Sequence, residues 1–396
     1  MHLVVFSHKL FRRTRDGLQT TGAYTIQMDA LAPYFDRVTL CVPVVDDATF
    51  RGMSVTSPNI DFHPLPHYAG RMGFLRAAPS MRREMLTVME QADLALVILP
   101  GYVGTLASAL CQRRRFPVFQ WVVSDWSQGV LARRHNLLAH WWASLWAPLL
   151  DRLMMRLTRD VLTFYTGHIL HNRGKSYHFT RVSSSIRQSD FYARDVTNIT
   201  MPYRVLFVGR LSAEKGIAYL LEAISLLAAK GEAIELHIVG TGPLEDDLRH
   251  KARVLNIAEQ VTFHGFIPQG EALRRLYRES DMLVLPSLQE QQGKVLLEAM
   301  ANGLPIIASN IGGIPTVVRH EWNGLLIPPR DPSAISQAIT RLITDSSLRK
   351  RLINNGLEYA RQHTVERETE KMMNIVRSYY PNLFASFGGE ARDDLS

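Results

Sequence analysis

Cysteine is almost absent from this chain: 396 residues hold two, Cys41 and Cys111. They lie far apart among apolar neighbours, which argues against a disulfide framework or a cysteine-rich metal site and leaves two small buried hydrophobes. An apolar run long enough to span a bilayer is also missing. The greasiest stretch, residues 136–157, is interrupted by His140, Asp151 and Arg152, short of the roughly 20 apolar residues a membrane helix needs. Met1 leads straight into the apolar run Leu3 to Phe6 with no charged leader before it. Nothing there reads as a signal peptide, so a cytoplasmic location is expected. There is no internal repeat and no low-complexity tract. The basic residues come without helix-turn-helix, zinc-finger or RNP-like motifs, so no nucleic-acid partner is expected.

What is present begins with an uneven charge. The net +8 divides into +9 over residues 1–190, with 22 Lys and Arg against 13 Asp and Glu, and −1 over the remainder. Arg82-Arg83, Arg113-Arg114-Arg115 and Arg133-Arg134 concentrate it, which favours an anionic partner on the first half. Five of the six tryptophans (Trp121, Trp126, Trp141, Trp142 and Trp146) fall in or near the 136–157 stretch, with Arg133, Arg134, Arg152, Arg156 and Arg159 around it. Tryptophan and arginine on one amphipathic segment suit a membrane interface, and an anionic membrane surface is one expected partner. A buried helix of the first domain and a contact with a second copy fit the same residues.

Apolar runs bounded by turn residues alternate with amphipathic stretches throughout, the pattern of parallel sheets covered by helices on both faces. Expected strands are Leu3 to Phe6, Val38 to Val42, Leu94 to Ile98, Val118 to Val123 and Val161 to Phe164. A second series runs through Arg204 to Val208, Glu235 to Val239, Val261 to Phe263, Met282 to Leu285, Pro305 to Ala308 and Gly324 to Ile327. Between the series lies the polar stretch 183–203. The class is α/β, with two Rossmann-like doubly wound domains facing across a cleft. Residues 1–190 form the first domain, 191–202 the linker and 203–364 the second; 365–396 form a C-terminal helix returning to the first domain, plus a tail.

Three segments of the second half carry chemistry. In VLFVGRLSAEKG, residues 205–216, a buried strand runs into Gly209, with Arg210 in the turn and Lys215 five residues on. Backbone N–H groups at such a turn, joined by a guanidinium and an ammonium, make a site for two phosphates. No two aspartates are separated by a single residue, so the Asp-x-Asp pair often used to hold a nucleotide-bound divalent ion is missing, and no metal is expected. Lys215 pairing with Glu214 or Glu222 is the plain alternative. In IVGTGPLEDDL, residues 238–248, Gly240 and Gly242 invite a dinucleotide reading, but Glu245 stands where a third glycine belongs. Pro243 and the acidic residues after it are ordinary helix-entry chemistry.

The third segment, PSLQEQQGKVLLEAMANGLPIIAS, residues 286–309, sets Glu290 eight positions before Glu298 across a turn at Gly293. A general acid/base pair, a helix cap and a sugar clamp all fit two such acids. Carboxylates accept hydrogen bonds from adjacent hydroxyls, which suits a ribose diol or a pyranose.

These residues resemble a family. Glu290 to Glu298, with Pro286-Ser287 before and the run Ala299 to Pro305 after, is similar to the donor motif of the family 4 retaining glycosyltransferases of GT-B architecture. Gly209-Arg210-Leu211 with Glu214-Lys215-Gly216 resembles the diphosphate motif of that family. Gly312-Gly313-Ile314-Pro315 and Asn323-Gly324 follow in its order, so the likeness covers residues 203–330.

The resemblance implies retaining, metal-independent transfer from a UDP- or GDP-type sugar to a hydroxyl acceptor, with no cofactor beyond the nucleotide-sugar co-substrate. Arg210 and Lys215 would hold the diphosphate, Glu298 the ribose and Glu290 the transferred sugar. Backbone at Gly293, Lys294 and Val295 would reach sugar and phosphate, Ile267 the base, and Gly22 the donor from the first domain. Where many members carry a histidine, VVSDW leaves Asp125 as an acceptor-side candidate. Gln292 stands where an aromatic residue is usual, which marks that turn for sugar preference. A lipid-linked, polysaccharide or glycolipid acceptor is expected from the basic, tryptophan-rich half. A soluble acceptor and a nucleotide-sugar epimerase remain open.

Overall fold

The computed structural model describes residues 1–15, 17–50, 52–124, 149, 152–167, 177–192 and 199–385. Asp125, Trp126, Trp141, Trp142 and Trp146 lie outside the described residues, so the membrane-facing reading of the tryptophan segment has no structural counterpart here. Contacts divide the chain into two compact units, Met1–Arg181 with Glu368–Ser396, and Val182–Arg367. Residues 182–190, given to the first domain by sequence, pack with the second unit.

The first unit is built on a sheet ordered β3-β2-β4-β1-β6-β7-β8-β9, with β5 also on β4. Its strands are β1 (His2–Phe6), β2 (Phe11–Thr14), β3 (Gly17–Gln19), β4 (Arg37–Asp46), β5 (Ile60–Leu65), β6 (Leu94–Leu99), β7 (Val118–Val122), β8 (Leu162–Thr166) and β9 (His178–Arg181). All pairings are parallel except β2 with β3. The central strands are apolar on both faces: every residue of LALVIL in β6 is buried, as a strand covered by helices on both sides requires. Sequence reasoning missed β2, β3, β5 and β9. Their segments FRRT, GLQ, IDFHPL and HFTR are short and polar or carry proline, the composition of edge positions.

The helix Val365–Tyr379 turns Met372, Met373 and Val376 into the core of this first sheet. It is held there by a buried cation. Arg181, at the end of β9, stacks over Trp121 at 4.3 Å and donates to Thr369 Oγ1 at 3.3 Å. Loss of solvent pulls its guanidinium down to about 10, and the buried Glu368 carboxylate opposes that shift.

The second unit has six parallel strands ordered β12-β11-β10-β13-β14-β15. They are β10 (Tyr203–Val208), β11 (Ile234–Val239), β12 (Val261–Gly265), β13 (Met282–Leu285), β14 (Ile306–Ser309) and β15 (Leu325–Ile327). From β10 the order runs one way to β11 and the other way to β13. Their carboxyl ends therefore flank the crevice where an open α/β sheet binds ligands. The turn 209–216 follows β10 and the loop 286–293 follows β13, so topology alone brings the two chemistry-bearing segments to one place.

Candidate donor site

Glycines fix the backbone of this site, because three loops pass too close for side chains. A Cβ on Gly240, at φ +134°, would sit 1.9 Å from the Gly209 carbonyl oxygen, and one on Gly242 would lie 2.3 Å from that of Leu211. Leu211 N–H donates to Thr241 O at 3.1 Å and Gly209 N–H to Val239 O at 2.9 Å. The paired glycines of IVGTGP thus serve the packing of one loop on another, which replaces the dinucleotide reading. Their helix, Glu245–Val254, opens on Glu245, Asp246 and Asp247 and suits no phosphate.

The turn after β10 is joined to the loop after β13. Leu288 N–H donates to the Glu214 carbonyl at 2.7 Å, and a Cβ on Gly216, at φ +65°, would meet the Pro286 carbonyl oxygen at 2.1 Å. Side chains complete the junction. The Lys215 ammonium contacts the Glu290 carboxylate, both largely buried. Lys215 pairs with Glu290 rather than with Glu214 or Glu222; Glu222 takes Lys251 instead. Glu290 is further held by Ser287 Oγ at 3.4 Å and the Gln291 N–H at 3.2 Å. From the far side Gly313 N–H donates to the Glu290 carbonyl at 3.1 Å. Arg210, in the same turn, is exposed and forms no ion pair among the described residues.

Gly293, at φ +69°, turns the chain into the helix Lys294–Ala301, with Lys294 and Val295 in its first turn and Glu298 one turn along. Glu298 is not a solvated helix residue. Its Oε1 accepts from Ser185 Oγ at 2.7 Å and Gln269 Nε2 at 3.2 Å, and its Oε2 accepts from Tyr277 OH at 2.9 Å. Burial and the facing carboxylate push the Tyr277 hydroxyl well above its ordinary value, so it stays a donor. A pocket of about 20 Å³ abuts Glu298, between Tyr277, Asn302, Gln269 and the Asp190–Arg274 ion pair of 3.1 Å. That is room for water rather than for a sugar.

Gln292 is buried, and its side-chain oxygen accepts from the Ser183 N–H at 2.8 Å, which tethers the segment Val182–Ile186. Ile267 packs half-buried against the core beside the exposed Phe266. In the first unit, Gly22 sits at φ +72° before the helix Tyr24–Leu31, next to Thr21, whose hydroxyl accepts from Lys9 Nζ at 3.3 Å. Sequence reasoning missed Ser185, Gln269 and Tyr277. Ser185 lay in the polar stretch 183–203, which shows no periodicity, and the other two carry no motif of their own.

The set this geometry defines is one exposed arginine, a lysine bridged to a carboxylate, and a second carboxylate held by three donors, all at one sheet crevice. Residues 189–359 match the family described as glycosyl transferases group 1. The amylovoran biosynthesis glycosyltransferase AmsK of Erwinia amylovora is 32% identical over 263 residues, 63% of this chain and 61% of that protein. The chain spans 38% to 61% of the length of the first curated relatives it matches.

Over the whole chain the likeness is structural. A sucrose-phosphate synthase from Thermosynechococcus elongatus superposes with a TM-score of 0.72 at 21% identity, covering 98% of this chain and all (100%) of that one. Anabaena HepE, solved with UDP, gives 0.70 at 18% identity, covering 96% and 100%. The fold is the two-domain GT-B fold of glycosyltransferases.

Proposed function

We propose that the chain transfers a sugar, with retention and without a metal ion, from a UDP- or GDP-type nucleoside diphosphate sugar to a hydroxyl acceptor. The observation that carries this reading is the convergence of Arg210, the Lys215–Glu290 pair and the held Glu298 at the β10–β13 crevice. The matched family and the UDP bound by the Anabaena neighbour support it.

In this reading Arg210, Lys215 and the helix-entry amides at Lys294 and Val295 take up the negative charge that grows on the leaving diphosphate. Such preorganised charge usually supplies the largest catalytic contribution. Lys215 already contacts Glu290, so one ammonium can face the donor phosphate and the Glu290 carboxylate together. Glu290 then orients the transferred sugar and Glu298 the ribose, which makes the two acids positioning groups rather than an acid/base pair. The donor phosphate takes the acceptor proton. Gly22 and Ile267 are further donor-binding candidates, Ile267 for the base, and Asp125 is the acceptor-side candidate.

The acceptor we propose is lipid-linked or a polysaccharide or glycolipid intermediate, reached from an anionic membrane surface on the cytoplasmic side. The charge of +9 on residues 1–190 supports that. No helix among the described residues is long and apolar enough to cross a membrane.

A screen of UDP, GDP and ADP sugars, read by nucleotide release with and without a lipid extract as acceptor, tests the proposal. Release from one UDP or GDP sugar that depends on the extract and persists in chelator is expected. Consumption of a sugar nucleotide without acceptor and without nucleotide release would indicate an epimerase. Liposome co-sedimentation at low salt, with and without anionic lipid, checks the membrane surface; equal recovery in both would remove it.

A further inference from the structure

We infer that Ser185 and Tyr277 are the positioning residues that set the Glu298 carboxylate for a nucleoside, and that Gln269 is the donor a ribose hydroxyl displaces. The inference rests on the nucleoside diphosphate reading of the site. A carboxylate offers about four accepting positions, two on each oxygen. On Glu298 Oε1 both are taken, by Ser185 Oγ at 2.7 Å and Gln269 Nε2 at 3.2 Å; on Oε2 Tyr277 OH takes one at 2.9 Å. One position is open, and a vicinal diol needs two.

The second position must come from Oε1, and the distances choose which donor gives way. Gln269 holds the longer bond, and the same Nε2 also donates to the Ser185 carbonyl at 3.0 Å, so it leaves Glu298 without being orphaned. Ser185 has no such freedom. It is fully buried in the segment Val182–Ile186, whose Ser183 N–H is bound by Gln292 at 2.8 Å and whose Ile186 carbonyl accepts from Val365 N–H at 2.8 Å. Tyr277 is buried too, and its hydroxyl holds the other oxygen, Oε2. The two hydroxyls clamp the carboxylate plane and Gln269 guards the vacancy the ribose fills. A role for Gln292 follows as well: it anchors the segment that carries Ser185.

Titration calorimetry of the full chain with UDP, GDP and their 2′-deoxy forms tests this. Ser185→Ala and Tyr277→Phe are each expected to weaken the ribonucleotide about tenfold and to shrink the preference over the deoxy form, because the carboxylate loses its fixed plane. Ser185→Thr keeps the hydroxyl and restores both. Gln269→Ala keeps wild-type affinity or improves it. Wild-type affinity and preference in both Ser185→Ala and Tyr277→Phe would overturn the inference, as would a loss in Gln269→Ala equal to that in Ser185→Ala. If Glu298→Ala binds like wild type, or wild type binds neither nucleotide, the nucleoside reading itself fails and this inference with it.

Discussion

Glu298 shows how much a single residue's neighbours decide. Read as letters, it was one of two acids near a helix entry; in the fold it is a carboxylate kept oriented by three donors from three segments. Charge-assisted hydrogen bonds are the stronger kind, and a carboxylate so held is built to receive rather than to shuttle protons. The cysteines carry a residue-scale prediction. Burial pushes the Cys111 thiol up to about 12 and that of Cys41 higher still. A thiol's folded-state value raised above its ordinary one keeps it protonated through neutral pH, and the thiolate is the reactive form. Neither cysteine should react with a thiol reagent in the native chain at pH 8, and both should react in denaturant; labelling followed by mass spectrometry checks this.

Elements explain why part of the site was legible in advance. Strands Met282–Leu285 and Tyr203–Val208 are short apolar runs closed by turn residues, so their ends, and with them Arg210, Lys215, Glu290 and Gly293, could be placed from pattern alone. The hydrogen-bond partners of Glu298 could not. They come from Val182–Ile186, a buried segment without periodicity outside any sheet, from Gln269 in the loop before the helix Glu271–Glu279, and from that helix, whose Tyr277 reads simply as core. The loop glycines were visible, but spacing does not reveal that Gly240 faces another loop's carbonyl. Gly240→Ala places a methyl 1.9 Å from the Gly209 oxygen at φ +134°. It should cost roughly 2–4 kcal/mol in a denaturant melt, in the range of overpacked or strained positions. A substitution at Gly231, at φ +82° with open space before it, should cost less. The Arg181 anchor gives a further case: Glu368→Ala removes the acid opposing a buried guanidinium, with an expected loss of about 3 kcal/mol by the same measurement.

At the scale of the whole molecule, two sheets of the same class are used differently. The second unit holds the motifs, the glycine-packed loops and the matched family segment. The first holds the positive charge and an inserted hairpin, Phe11–Thr14 with Gly17–Gln19, between its first strand and first long helix. Donor chemistry should therefore be insensitive to most changes in the first unit, while acceptor use and salt dependence should follow its arginines. Replacing Arg113, Arg114 and Arg115 together by glutamine is expected to leave nucleotide affinity unchanged and to reduce sedimentation with anionic liposomes at low salt. Equal sedimentation would place the membrane contact elsewhere or remove it.

Arg210 and Glu298 are proposed to grip one nucleoside diphosphate sugar. The most direct test is nucleotide release from the preferred donor by wild type, Arg210→Ala, Glu298→Ala and, as a control on an acid outside the site, Glu245→Ala. A fall of about 100-fold or more is expected in Arg210→Ala and Glu298→Ala, and wild-type release in the control. Near wild-type turnover in both Arg210→Ala and Glu298→Ala would contradict the proposed grip.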